Sequence, residues 1–128
     1  MKKIHAFAIV GAVIVMTVGS LALFKQASAS SDCVGEGPCM LYFYTDSCAV
    51  CKSMEPIHDR LGKKYGGDFS IKRINVDRSQ GKKLAREYDV IGQPTYILFD
   101  SDGEQVRKLM GAQSAETFER EIERILQQ

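Results

Sequence analysis

Tyr44-Thr45-Asp46-Ser47-Cys48-Ala49-Val50-Cys51-Lys52 is the stretch on which the reading of this chain turns. Upstream, Met40-Leu41-Tyr42-Phe43-Tyr44-Thr45 is an aromatic and aliphatic run too short for a helix, which predicts a buried strand. From Cys48 the period changes. Val50, Met54, Ile57, Leu61 and Tyr65 recur at three and four residues, with Lys52, Glu55, Asp59 and Lys63 between them. That pattern predicts an amphipathic helix over 48–65, kinked at Pro56 and ending before Gly66-Gly67. Two cysteines therefore sit where a strand passes into a helix.

That position makes them unequal. Cys48 would lie at the helix N-terminus, among backbone N–H groups without intrahelical acceptors and at the positive end of the dipole, and both favour a thiolate. Cys51, nearly one turn on, can reach the first sulfur but belongs to a more enclosed, helical backbone. The expectation is that Cys48 forms a mixed disulfide with a substrate and that Cys51 resolves it by attacking the Cys48 sulfur. A purely structural disulfide competes with this, as does half of a four-cysteine zinc site completed by Cys33 and Cys39. Geometry disfavours the zinc site, because Cys39 precedes the first strand and Cys48 follows it, which sets the pairs ~20 Å apart at ~3.3 Å per residue. A Cu(I)-binding or delivery module, with the two sulfurs as soft ligands, is the alternative from another class.

Further out, Phe69 to Val76 reads as a second strand, and Ser79 to Tyr88 as a second helix with Leu84, Ala85 and Tyr88 inward and a solvated Lys/Arg face outward. Thr95–Phe99 and Gln105–Met110 read as strands joined by Ser101-Asp102-Gly103-Glu104, where Asp-Gly signals a hairpin. Ser114 can cap a last helix whose stripe is Phe118, Ile122, Ile125 and Leu126. The order is β-α-β-α-β-β-α. Helix-length crossovers predict parallel pairing for the first three strands, and the tight turn predicts an antiparallel fourth. His58, the one histidine outside the first segment, is expected on a helix surface with no catalytic role.

Together with Pro56, Val90-Ile91-Gly92-Gln93-Pro94-Thr95 and Met110-Gly111, the opening stretch resembles the thioredoxin family over nearly all of residues 40–126. The resemblance implies an α/β minimal thioredoxin fold, a four-stranded mixed sheet flanked by helices, and a thiol:disulfide oxidoreductase needing no cofactor and no metal. It implies that Pro94 is cis and lies beside the disulfide, and that Gln93 and Thr95 offer backbone to an extended substrate peptide. Ser47, Ala49, Val50, Met110 and Gly111 would line the same groove. A cis X-Pro bond suits this role physically, because it exposes backbone groups at a turn.

The departures from the pattern are specific. Ala49-Val50 replaces the Gly-Pro of ordinary thioredoxins and is closer to the Cys-Val-Ala-Cys of the exported C-terminal domain of transmembrane reductant conductors. Ser47 stands where a tryptophan is usual, and Tyr42 where the family keeps a buried aspartate as proton acceptor for the second cysteine. Arg73 aligns with the lysine that partners that aspartate and is expected at the surface, while Asp46 and Glu55 are candidate substitutes for the acid.

Met1-Lys2-Lys3 is followed by the uncharged run Ile4 to Phe24, then Lys25 and Ala27-Ser28-Ala29. Residues 1–29 read as an export segment, either a signal peptide cut after Ala29 or a membrane anchor, since the run is long enough to span ~30 Å of hydrocarbon. Residues 30–38 read as a linker or stapled loop, and 39–128 as the globular domain. The chain holds 17 Lys and Arg and 16 Asp and Glu. Three of the cations and none of the acids fall in residues 1–29, leaving 14 − 16 = −2 for the rest, which excludes a nucleic-acid-binding balance. The domain is expected outside the cytoplasm, periplasmic or on the outer membrane face, where Cys33 and Cys39 can close a short structural disulfide. Its expected partners are protein or peptide disulfides and thiols, with an upstream thiol donor such as a membrane reductant conductor. Membrane association would run only through residues 4–24, if these are retained. The expected direction is reduction of exported thiols, with disulfide oxidant or isomerase as the alternative.

Overall fold

The computed structural model describes Cys33 and residues 35–128; residues 1–29, assigned above to export, lie outside them. Seven elements follow in order: β1 Cys39–Tyr44, α1 Ala49–Tyr65, β2 Ser70–Asn75, α2 Ser79–Glu87, β3 Thr95–Phe99, β4 Gln105–Met110 and α3 Ala115–Leu126. The strands form one mixed sheet in the order β2-β1-β3-β4.

β1 is apolar at every position because the sheet is covered on both faces. Met40 and Tyr42 point into the core built with Met54 and Leu61 of α1 and Phe118 and Ile122 of α3. Cys39, Leu41 and Phe43 point to the other face, against Leu84 and Ala85 of α2. Ser114 caps α3, its hydroxyl accepting from the Thr117 N–H at 3.2 Å. Of the predicted α3 stripe, Phe118, Ile122 and Ile125 are buried, whereas Leu126 lies at the helix end and stays partly exposed. α1 runs unbroken through Pro56.

The predicted pairing needs one correction. β1 and β2 are parallel and β3 and β4 antiparallel, but β3 runs antiparallel to β1, with Phe43 opposite Thr95 and Cys39 opposite Phe99. The cause is length. α2 has nine residues, ~13.5 Å of helix, and the segment 88–94 then carries the chain back to the end of the sheet at which β2 finished. β3 therefore starts where β1 ends, beside the strand-to-helix junction at Cys48.

Candidate active site

The junction is built as the local sequence dictates. Cys48 is the N-cap of α1 in extended conformation, and its sulfur accepts the Cys51 N–H at 3.1 Å. Cys48 and Cys51 form a disulfide with Cα atoms 5.2 Å apart. Their environments differ: Cys48 is half-buried, whereas Cys51 is 2% exposed and belongs to the core under the sheet.

The loop before Cys48 is tied to the end of β2 by a closed ring of hydrogen bonds. Asn75 Nδ2 donates to Asp46 Oδ1, the Asp46 N–H to Asp77 Oδ2, and the Asp77 N–H to Asn75 Oδ1, each at 2.8 Å. Asp46 is thus occupied on the β2 side. Glu55 lies on the other side: it pairs with Arg73 and is 3.4 Å from the Tyr42 hydroxyl, which also donates to the Cys51 carbonyl at 3.2 Å. Burial, then the Glu55 charge, pushes the Tyr42 phenol up to about 12, so it remains a donor at any physiological pH. Arg73 also reaches Asp59 at 3.4 Å, so it joins an ion-pair network at the partly exposed edge of this site.

His58 departs from expectation. It is 2% exposed, not on the surface, and its ring lies 4.2 Å from Tyr42 and 5.5 Å from Tyr96 by centroid, with Phe118 at 6.0 Å. Neither ring nitrogen has a hydrogen-bond partner, and burial lowers its pKa to about 4. The helical spacing explains the location, since His58 follows Cys51 by seven residues and Met54 by four on one helix face.

The second half of the site comes from the loop into β3. The Gln93-Pro94 peptide is cis. Pro94 is buried and its carbonyl accepts the Gly111 N–H at 2.8 Å, while the Thr95 hydroxyl donates to the Gly92 carbonyl at 2.6 Å. Thr95 itself is fully buried and paired on both sides, with Phe43 and Met110, so Gly92 and Gln93 are the partly exposed part of this turn. Ser47 and Ala49 are exposed, Gly111 is half-buried, and Val50, which the helical period also places on the core stripe, is 44% exposed. Val50, Ile91 and Met110 account for three of the five large apolar residues left exposed among the described residues.

Cys33 and Cys39 form the other disulfide, both sulfurs buried. Among the described residues no group of three or more His, Cys, Asp and Glu is assembled to hold a metal, and no helix is long and apolar enough to cross a membrane.

The family model for thioredoxin matches residues 15–124 of this chain. The chain belongs to the thioredoxin family. It is 36% identical over 89 residues to the chloroplastic thioredoxin M4 of Arabidopsis thaliana, a match covering 70% of this chain and 45% of that protein. It is 32% identical over 107 residues to a thioredoxin of Staphylococcus saprophyticus, covering 83% of this chain and 100% of the relative. A thiol:disulfide interchange protein, the TxlA homolog of Synechocystis, is 31% identical over 85 residues, covering 66% of this chain and 47% of that protein. The chain thus spans about half the length of two of these three thioredoxin-family relatives. Thiol:disulfide exchange at a cysteine pair is the chemistry of this domain, and Cys48 and Cys51 are the pair.

Two residues that tie loops outside the cysteine pair escape the sequence reading. Asn75 looks like one more strand residue, and Lys108 like a solvated lysine on an edge strand. Yet Lys108 Nζ donates to the carbonyls of Tyr88 at 2.9 Å and Asp89 at 2.7 Å. No local signal marks either, since both act on segments distant in sequence.

Proposed function

We propose that this chain reduces disulfides of exported proteins through Cys48 and Cys51. The observation that carries the proposal is the asymmetry of the pair: one sulfur half-exposed at a helix N-terminus beside a cis-proline turn, the other sealed in the core. In the reduced protein the Cys48 thiolate attacks one sulfur of a substrate disulfide, forming a mixed disulfide and releasing the first substrate thiolate. Cys51 loses its proton and attacks the Cys48 sulfur, which closes the intramolecular disulfide and releases the second thiolate. Two electrons pass from the pair to the substrate. An upstream thiol donor, for which a membrane reductant conductor is the candidate, returns them. Glu55 takes the Cys51 proton, supported by its link through Tyr42 to the backbone of Cys51, whereas Asp46 is turned to Asn75 and Asp77.

The substrate lies extended along Gly92, Gln93 and Pro94, with Ser47, Ala49, Val50, Met110 and Gly111 around it. The exposed apolar side chains Val50 and Met110 support this groove, since they are the kind of surface that a peptide covers. The direction is supported by what stands near Cys48. Asp46 opposes a very low thiolate pKa, and no histidine lies between the cysteines. A less stabilised thiolate makes the disulfide less oxidising.

Redox titration against glutathione tests the direction: the potential is expected nearer ~−270 mV than ~−120 mV, a gap of about 7 kcal/mol for two electrons, and a value above ~−180 mV makes this an oxidant or isomerase. The location outside the cytoplasm rests on the export segment and on the Cys33–Cys39 disulfide, which persists in oxidising surroundings. In intact cells a membrane-impermeant thiol reagent should label reduced Cys48; labelling only after lysis would refute that location.

A further inference from the structure

The loop that carries Ile91, Gly92, Gln93 and Pro94 starts from an unusual helix end. The Val90 N–H donates to the Ala85 carbonyl at 2.7 Å and the Asp89 N–H to the Arg86 carbonyl at 3.3 Å, the two bonds of a Schellman motif. The left-handed residue of that motif is commonly glycine, but here it is Asp89, at φ +50°. A non-glycine residue in this region is strained and persists when its surroundings hold it there.

Lys108 supplies that hold from another element. It lies on β4, opposite Ile97 of β3, and its ammonium bridges the two carbonyls at the turn, Tyr88 and Asp89. These carbonyls end α2, where the helix dipole is negative, so a half-buried cation is favoured there. Met110, two residues on and so on the same side of β4, lies near the far end of the loop: a Cβ added to Gly92 would be 3.9 Å from Met110 Cε. One strand face therefore holds the loop at its base through Lys108 and places Met110 near its tip.

We propose that Lys108 is a positioning residue for protein substrates, fixing the loop 88–94 against which the substrate backbone lies without touching the sulfurs. The inference rests on the exchange reaction proposed above. It predicts a split between substrates, because a protein disulfide must lie along the loop and a small aromatic disulfide need only reach Cys48. Loss of Lys108 therefore weakens the first and spares the second.

The test uses the full chain and Lys108→Met, with Lys108→Arg as the conservative variant. Lys108→Met is expected to raise KM for insulin reduction about five- to tenfold with kcat within about twofold, as for a lost binding contribution. Its rate with dithiobis(nitrobenzoate) should stay within about twofold of the parent, and Lys108→Arg should recover most of the insulin KM. Amide hydrogen exchange at residues 89–93 should accelerate in Lys108→Met alone, a readout that needs no activity. Unchanged exchange there overturns the proposal. So does an equal loss on insulin and on the small disulfide, which would make Lys108 a residue of general stability. If the parent reduces neither substrate, the exchange reading fails instead, and the hydrogen-exchange result still judges Lys108.

Discussion

The two disulfides of this domain both close short loops, with sequence separations of 6 and 3, and differ in their surroundings. Cys33 and Cys39 are both buried, 1% and 0% exposed, at the start of β1 against the face that α2 covers. Cys48 and Cys51 lie past the other end of β1, one sulfur half-exposed at a helix N-terminus and one sealed. An attacking thiolate needs a line of approach to one sulfur only, and a resolving thiol must be kept from wasting that approach. Unequal exposure provides both; equal burial provides neither. The comparison teaches that a redox pair is recognised by the difference between its two sulfurs, and a structural pair by their likeness.

The largest effect should separate the sulfurs within the active pair. Cys48→Ser is expected to lower insulin reduction by a factor on the order of a thousand or more, since the nucleophile is gone. Cys51→Ser should still attack but should accumulate a mixed disulfide at Cys48, visible by mass spectrometry of the trapped adduct. Adduct at Cys51 in the Cys48→Ser protein at a similar rate would erase the asymmetry.

The cores beneath the pairs differ next. His58 lies in the core that includes Cys51, with no hydrogen-bond partner and a pKa lowered to about 4. The unfolded chain binds a proton at this side chain near pH 6.5 and the folded chain does not, so stability is lost as pH falls from about 6.5 toward 4. The loss reaches about 3 kcal/mol at the lower limit. Urea unfolding at pH 7 and pH 4.5 should show a larger drop for the parent than for His58→Phe. Equal drops would mean that the imidazole is charged when folded.

Replacing Cys33 and Cys39 by Ala should cost about 2 kcal/mol through the lost loop constraint and leave insulin turnover within about twofold. Abolished turnover in a still-folded protein would make that pair a second relay. The smallest effect is expected at Glu55→Gln, where loss of the proton acceptor should slow closure of the Cys48–Cys51 disulfide by about three- to tenfold at neutral pH. Raising the pH should restore the rate. Faster closure in this variant would indicate that the freed Arg73 charge matters more than the carboxylate.

Elements with a clean period are legible in the sequence alone. Ser114 and the α3 stripe, the Asp102-Gly103 hairpin and the strand-to-helix position of Cys48 follow from local rules, and the structure has them except for Leu126, the one stripe residue left exposed. The direction of β3 does not follow from such rules, because a helix between two strands fits a parallel pair as well as this short crossover. The answer was nonetheless implied by Pro94. A proline beside the disulfide forces β3 to begin at the Cys48 end of the sheet, which contradicts three parallel strands. His58 departs from expectation for a related reason: a lone helical histidine is usually solvated, but its spacing sets it on the buried face of Cys51 and Met54. Asn75 and Lys108 act across the sheet on chain segments 29 and 19 residues away, and such pairings are invisible to any local window.

The Cys33–Cys39 bridge also has a practical meaning for handling the molecule. It fastens Cys33 at the end of the sheet remote from the working sulfurs. A bead, an electrode linker or a fused carrier attached there leaves the Cys48 face turned outward. A handle placed after Met110 would instead crowd it.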